Sequence, residues 1–228
     1  MPQSGFEDGF TVASSGSLDT WVKEIFAKVP SAVEGYIYDQ VKLVIADFYK
    51  STKSWRNFFG PYTALANDGT ICLNPIDAKT NVIQVLAVAR NGIPLANTSP
   101  VAVPRTLITQ LTSSTSSSYY VEPYHTIHLV PIPTKDVEDI FVTAALTPRL
   151  RADNRIDQWV IDQHYEAILA GTLQRLYQEP GKVYSNVTSA EYWGRKYRYE
   201  KTVERSNAMN NYKESPQPWV YPTWSRGK

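Results

Sequence analysis

The chain has 228 residues, with 23 Lys and Arg against 22 Asp and Glu, and so lacks the basic excess expected of a general polyanion binder. A chain this long buries enough core to fold without covalent staples. Its one cysteine, Cys72, excludes an intramolecular disulfide and a four-cysteine zinc site, and suits a reducing cytoplasm. The opening MPQSGFEDGFTVASSGSLD has neither the basic start nor the apolar run of a signal peptide or anchor, and no later stretch is apolar for long enough to cross a bilayer.

Helical spacing comes first. After Ser17, a candidate N-cap, Leu18, Val22, Ile25 and Val29 fall on one face, and Pro30 ends the run. A stronger signal runs from about Val33 to Trp55, with Val33, Ile37, Val41, Val44, Phe48 and Trp55 in one stripe that needs a partner surface. From about Phe58 the period changes to two. Asn67-Asp68-Gly69 marks a turn, and NVIQVLAVARNGIPL reads as a strand, a tight Asn91-Gly92 turn and a returning strand. TSSTSSS, 112 to 118, reads as a polar loop too poor in apolar area to order itself, and HTIHLVPIP and DIFVTAAL read as two further strands.

Helical character returns in RADNRIDQWVIDQHYEAILAGTLQRLYQEPG. Asp153 or Asn154 is the expected cap, with Ile161, Tyr165, Ile168, Thr172 and Leu176 on one face and Val160, His164, Ala167 and Gly171 beside it. The small residues Ala167, Ala170 and Gly171 let another helix approach, which makes this helix central, and Pro180-Gly181 ends it with Gly181 as the C-cap. A Thr188/Glu191 capping box opens a last helix that runs to about Tyr212. Beyond it KESPQPWVYPTWSRGK holds three prolines and carries Trp219, Tyr221 and Trp224, an extended arm of large aromatics that is expected to dock on something. The predicted fold is α+β. An antiparallel helical bundle (1–55 plus 148–212) carries an inserted small antiparallel β module, a sandwich or barrel (56–147), and an extended C-terminal docking arm (213–228).

No catalytic constellation emerges. His125 and His128 are three apart in an expected strand and point to opposite faces, and His164 has no second ligand one turn away. Asp153, Asp157, Asp162 and Glu166 gather near one helix, as acids do at helix starts and on solvated faces. There is no phosphate loop, dinucleotide fingerprint or nucleophile elbow, so no cofactor, metal or catalytic residue is expected. From Trp193 to Lys228, however, eight Lys or Arg stand against three Glu. In WGRKYRYEK, Arg195, Lys196 and Arg198 alternate with Tyr197 and Tyr199. The run reads either as a nucleic-acid backbone track with stacking support or as packing residues with a solvated or subunit-facing cationic surface, and the second reading has the greater weight.

The stretch IDQWVIDQHYEAILAGTLQRLYQEPGKVYSNVTSAEYWGRKYRYEKTVERSNAM has a small-LxRLxxxPGKxYS junction between two helices and a basic final helix. It resembles the phage head-to-tail adaptor proteins, the head completion or gatekeeper proteins called tail tubular protein A in short-tailed phages. VKLVIADFYKSTKSWR is similar to that family's early helix. The resemblance covers roughly 17–56 and 148–212, and it implies a structural protein, not an enzyme, made in the host cytoplasm and placed in the virion at the head-tail junction. It implies a ring of identical subunits, commonly dodecameric, under the portal protein, with tail nozzle or fibre proteins as further partners. Double-stranded DNA would pass through the ring in transient contact, and no membrane is involved. Trp219, Tyr221 and Trp224 would then dock on a neighbouring subunit or the portal, and Arg195, Lys196 and Arg198 would sit at a subunit contact or face the channel. Two other readings stay open: a receptor- or carbohydrate-binding virion module using Tyr119, Tyr120 and Tyr124, and a hydrolase using Asp157 and Asp162.

Overall fold

A computed structural model describes residues 19–73, 80–98, 112–113, 116–149 and 162–210. The predicted arm with Trp219, Tyr221 and Trp224 lies outside these residues, as do Asp153, Asn154 and Asp157. The described chain is mixed α and β, with four helices and two four-stranded, mostly antiparallel sheets.

Helix α1 (Asp19–Lys28) buries Trp21, Val22 and Ile25, and Val29 is buried just past its end. Helix α2 (Glu34–Thr52) buries Ile37, Val41, Val44, Ile45, Phe48 and Tyr49, a stripe at three- and four-residue spacing. The predicted helix is one residue too long at its start and three too long at its end. Val33 is an exposed N-cap, and the helix stops before Trp55 because Lys53 turns left-handed, at φ 55°, its N–H donating to the Tyr49 carbonyl.

Strands β1 (Arg56–Ala64), β2 (Thr70–Cys72), β3 (Thr80–Arg90), β4 (Ile93–Pro94) and β5 (Ala96–Asn97) follow, and then β6 (Thr112–Ser113), β7 (Ser118–Glu122), β8 (Thr126–Val130), β9 (Ile132–Pro133) and β10 (Val137–Pro148). One sheet has the order β1-β10-β3-β4 and the other β2-β8-β7-β5, with β6 and β9 forming a small parallel pair. Each order runs from edge to edge, so the barrel alternative is not what forms. Phe59, Val88, Ile140 and Val142 from the first sheet share one buried cluster with Ile71, Tyr119, Ile127 and Leu129 from the second. The predicted Asn91-Gly92 turn is present, with φ of 49° and 77° at the two central residues and Arg90 opposite Ile93.

The Ser/Thr stretch departs from expectation. Thr112 and Ser113 pair with Ile132 and Pro133, Ser116 is buried and its hydroxyl donates to the Pro131 carbonyl at 2.8 Å, and Ser118 opens β7. Hydrogen bonds rather than apolar burial hold these residues, and a reading based on hydrophobicity misses that.

Helix α3 (Tyr165–Gln178) is the described part of the third predicted helix. The expectation of one helix running through His164 fails: its backbone is non-helical, at φ −124° and ψ 32°, and its ring is packed 4.7 Å from Phe48 and 5.6 Å from Tyr49. The helix ends at Glu179, which is its C-cap in extended conformation, so Gly181 is not the cap but a turn residue at φ 77°. Helix α4 (Val187–Met209) is capped by Asn186, whose side chain accepts from the Ser189 N–H at 3.0 Å, not by the expected Thr188.

The expected centrality of α3 is what the packing shows. A Cβ at Gly171 would lie 2.6 Å from Val44 of α2 and 2.9 Å from Tyr197 of α4, so the glycine admits both neighbours at once. Trp55 packs against the helical cluster and the sheet cluster alike, and its carbonyl accepts from the Leu146 N–H of β10 at 2.8 Å. We expect Gly171→Ala to destabilise the fold by about 1–3 kcal/mol through overpacking, measured as a lower urea midpoint with an unchanged slope.

Candidate interaction surface

The site begins with how α4 is turned about its own axis. Tyr197 is buried, and its hydroxyl donates to Asp47 Oδ2 of α2 at 2.8 Å, while Lys201, one turn on, donates to the same oxygen at 3.0 Å. Burial pushes the Asp47 carboxyl up, but the hydrogen bonds from Tyr197 and Lys201 outweigh it and leave the group below its usual value. Burial, then the bond to Asp47, drive the Tyr197 phenol up, so it stays a donor. The Lys201 ammonium also sits 4.6 Å from the centre of the Tyr197 ring. On the same inner face Gly194 lies against Gln174 of α3, where a Cβ would come within 3.0 Å.

With Tyr197 fixed inward, helical geometry sends 192, 195, 198 and 199 outward. Tyr192 and Tyr199 are 62% and 66% exposed, and the Arg195 side chain is 76% exposed. Arg198 is exposed as well, and Arg195 meets Glu191 at 3.6 Å, a solvated pair of little energetic weight. Lys196 differs from its neighbours. It bonds Glu166 of α3 at 2.6 Å, and that hydrogen bond raises its ammonium above the usual lysine value. Of the three predicted cations, then, Arg195 and Arg198 share the outward face and Lys196 ties α4 to α3.

Below this face lies a cleft of 340 Å³ between the start of α3 and the far half of α4, with Phe48, Ala167 and Val203 among its lining and Asp162, Glu166, Glu200 and Glu204 as carboxylates. His164 reaches it, with Nε2 3.7 Å from Glu204. Burial lowers the His164 pKa, and Glu204 opposes this more weakly. Tyr165 beside it packs its ring on Trp21 at 4.2 Å and a tilt of 56°, and donates to Glu24; burial and then that bond push its phenol up to about 12. Among the described residues no three His, Cys, Asp or Glu side chains are grouped to hold a metal. No described helix is long and apolar enough to cross a membrane.

At the other end of the hairpin, Tyr184 donates to Glu179 at 2.7 Å and the Asn186 N–H bonds the Tyr177 carbonyl. The Tyr184 bond holds the Glu179 carboxyl below its usual value. The turn is thereby fixed with Val183 93% exposed at its tip, a feature that no periodicity announces.

In the β module Tyr119 and Tyr120 are buried, and Tyr120 stacks on His128 at 4.8 Å and 11°. Two of the rings required by a sugar-stacking reading are therefore interior. His125 sits in a 3-10 turn and His128 in β8, where its Nε2 faces Glu122 at 3.3 Å. No known protein-family profile matches this sequence, and no curated protein matches it.

Tyr197→Phe should cost about 1 kcal/mol of stability and Asp47→Ala about 1–3 kcal/mol, the larger loss leaving a buried hydroxyl short of its acceptor; urea unfolding measures both. Because His164 titrates lower in the folded chain than its usual 6.5, the unfolded chain takes up the proton first as pH falls. Stability is then full above about pH 7 and declines through the range below 6.5. Urea midpoints at pH 7.5 and 5.5 should show that decline, and His164→Gln should flatten it.

Proposed function

We propose that the chain is a structural head-to-tail adaptor of a virion, one subunit of a ring under the portal protein that extends the DNA channel and gives tail components their attachment site. In this reading the four helices form the adaptor bundle and the two sheets its inserted sandwich, with residues 213–228 as a docking arm. The ring is dodecameric, as is common in the adaptors that the chain resembles. Tail nozzle or fibre proteins meet its far side, and double-stranded DNA passes in transient contact. The protein acts without catalysis or cofactor, is made in the host cytoplasm, and ends at the head-tail junction.

The observation that carries this reading is the two-sidedness of α4. Its inner face is fixed by Tyr197, Lys201 and Gly194, while Tyr192, Arg195, Arg198 and Tyr199 are left uncovered by the described residues. Tyrosine and arginine are residue types that supply hot spots in protein contacts. A ring subunit must present two different surfaces to its neighbours, and such a face meets that need. The small-LxRLxxxPGKxYS junction adds the resemblance, and the Tyr184-Glu179 hydrogen bond within it supports a defined corner between the two helices. The carbohydrate-binding reading loses support with the burial of Tyr119 and Tyr120.

Purified chain mixed with portal rings from the same genome should give, in electron micrographs, a second ring stacked on the portal. Deleting residues 215–228 should leave a folded chain that no longer co-sediments with portal; undiminished co-sedimentation of the deletion, or no stacking by the full chain, counts against the adaptor reading.

A further inference from the structure

We infer that the outward face of α4 docks in the acidic cleft of a second copy of this chain, a head-to-tail self-contact; the inference rests on the ring reading above and assigns its subunit interface. The face and the cleft are opposite in charge. Arg195, Arg198 and Arg205 are exposed along α4 with Tyr192 and Tyr199 among them, and Glu191 is the acid paired into that stripe. The cleft carries Asp162, Glu166, Glu200 and Glu204, against which stand His164 and the Lys196 that bonds Glu166. A chain of formal net charge +1 thus holds a cationic and an anionic patch side by side on one helical hairpin.

These two surfaces cannot meet within one molecule. Tyr199 and Glu200 are successive residues of a rigid helix and so point about 100° apart; the stripe looks outward while the cleft opens on the flank toward α3. Matching them takes two copies. The contact is heterologous, with one surface of each copy on the other surface of the next, and so it propagates into a closed ring or an open filament. At 340 Å³ the cleft is near the lower end of the size range for ligand pockets, about 300–1,000 Å³, and takes inserted side chains such as Tyr199 and its flanking arginines. Val203, 38% exposed on its wall, gives an aromatic ring apolar contact, and the half-buried Glu200 faces the guanidiniums.

Charge reversal with rescue tests this on the full chain. Light scattering and sedimentation at low salt should show concentration-dependent assembly that weakens as salt is added. Arg198→Glu with Arg205→Glu, and separately Asp162→Lys with Glu200→Lys, should each weaken assembly by about tenfold or more, with unchanged circular dichroism. An equimolar mixture of the two variants should recover assembly, because each supplies the surface that the other has lost. A wild-type chain that stays monomeric at low salt, variants that assemble like wild type, or a mixture that recovers nothing would each overturn the contact. Portal co-sedimentation separates the two proposals: wild type and both variants joining portal equally leaves the adaptor reading standing without this interface, whereas rescued self-assembly with no portal binding leaves the interface without the adaptor.

Discussion

Asp47 is the fixed point about which the helical part is arranged. A single carboxylate oxygen on α2 receives both the Tyr197 hydroxyl and the Lys201 ammonium of α4, although α2 and α4 are some 150 residues apart in sequence. Two donors from successive turns allow one rotation of α4 about its axis and exclude the others. Burying Tyr197 decides by helical geometry alone which residues face solvent, so a half-buried polar contact between helices sets the chemistry of the exterior.

That arrangement needs close approach as well as polarity. α3 lies between α2 and α4, and Gly171 is where it touches both, with Val44 on one side and the Tyr197 ring on the other. Apolar burial of Ile168, Leu173 and Leu176 supplies the bulk of the stabilisation on α3, about 1.5–3 kcal/mol for each side chain. Glycine supplies the geometry that lets the Tyr197 hydroxyl reach Asp47. The two effects are complementary: burial is indifferent to how α4 is turned, and the hydrogen bonds are not.

Much of the fold was legible because it depends on local spacing. The stripes of α1 and α2, the period-two strands and the Asn91-Gly92 turn all reflect residues within a few positions of one another, as does the small-residue face of α3. What was not legible depends on partners distant in sequence. Asp47 reads as one solvated acid on an amphipathic helix until Tyr197 is seen beside it. Lys196 is indistinguishable in sequence from Arg195 and Arg198 until Glu166 is found to hold it. The cap at Asn186 was missed because Thr188 and Glu191 offered a tidier pattern two residues later. The aromatic-rich segment with Tyr119 and Tyr120 offered rings for a sugar, but composition does not tell that both are turned inward, nor that Ser116 and Ser118 are held by hydrogen bonds to β8 and the residue after it. The outward face of α4 was half visible: the alternation of cations and tyrosines in WGRKYRYEK marked the helix as unusual, but only packing separates the residues turned in from those turned out.

The place of Trp55 bears on how the molecule comes apart. One indole is shared between the helical cluster and the sheet cluster, and its own backbone is tied to β10. Neighbouring Arg56 donates to the Ala208 carbonyl at the end of α4, so the strand that leaves the helices is also fastened to the last of them. Losing either cluster exposes part of the indole and removes contacts from the other. The two halves are therefore thermodynamically coupled through the seam at Trp55 and Arg56, and strain applied to the sheets is handed to the helices there instead of being dissipated in a slack linker.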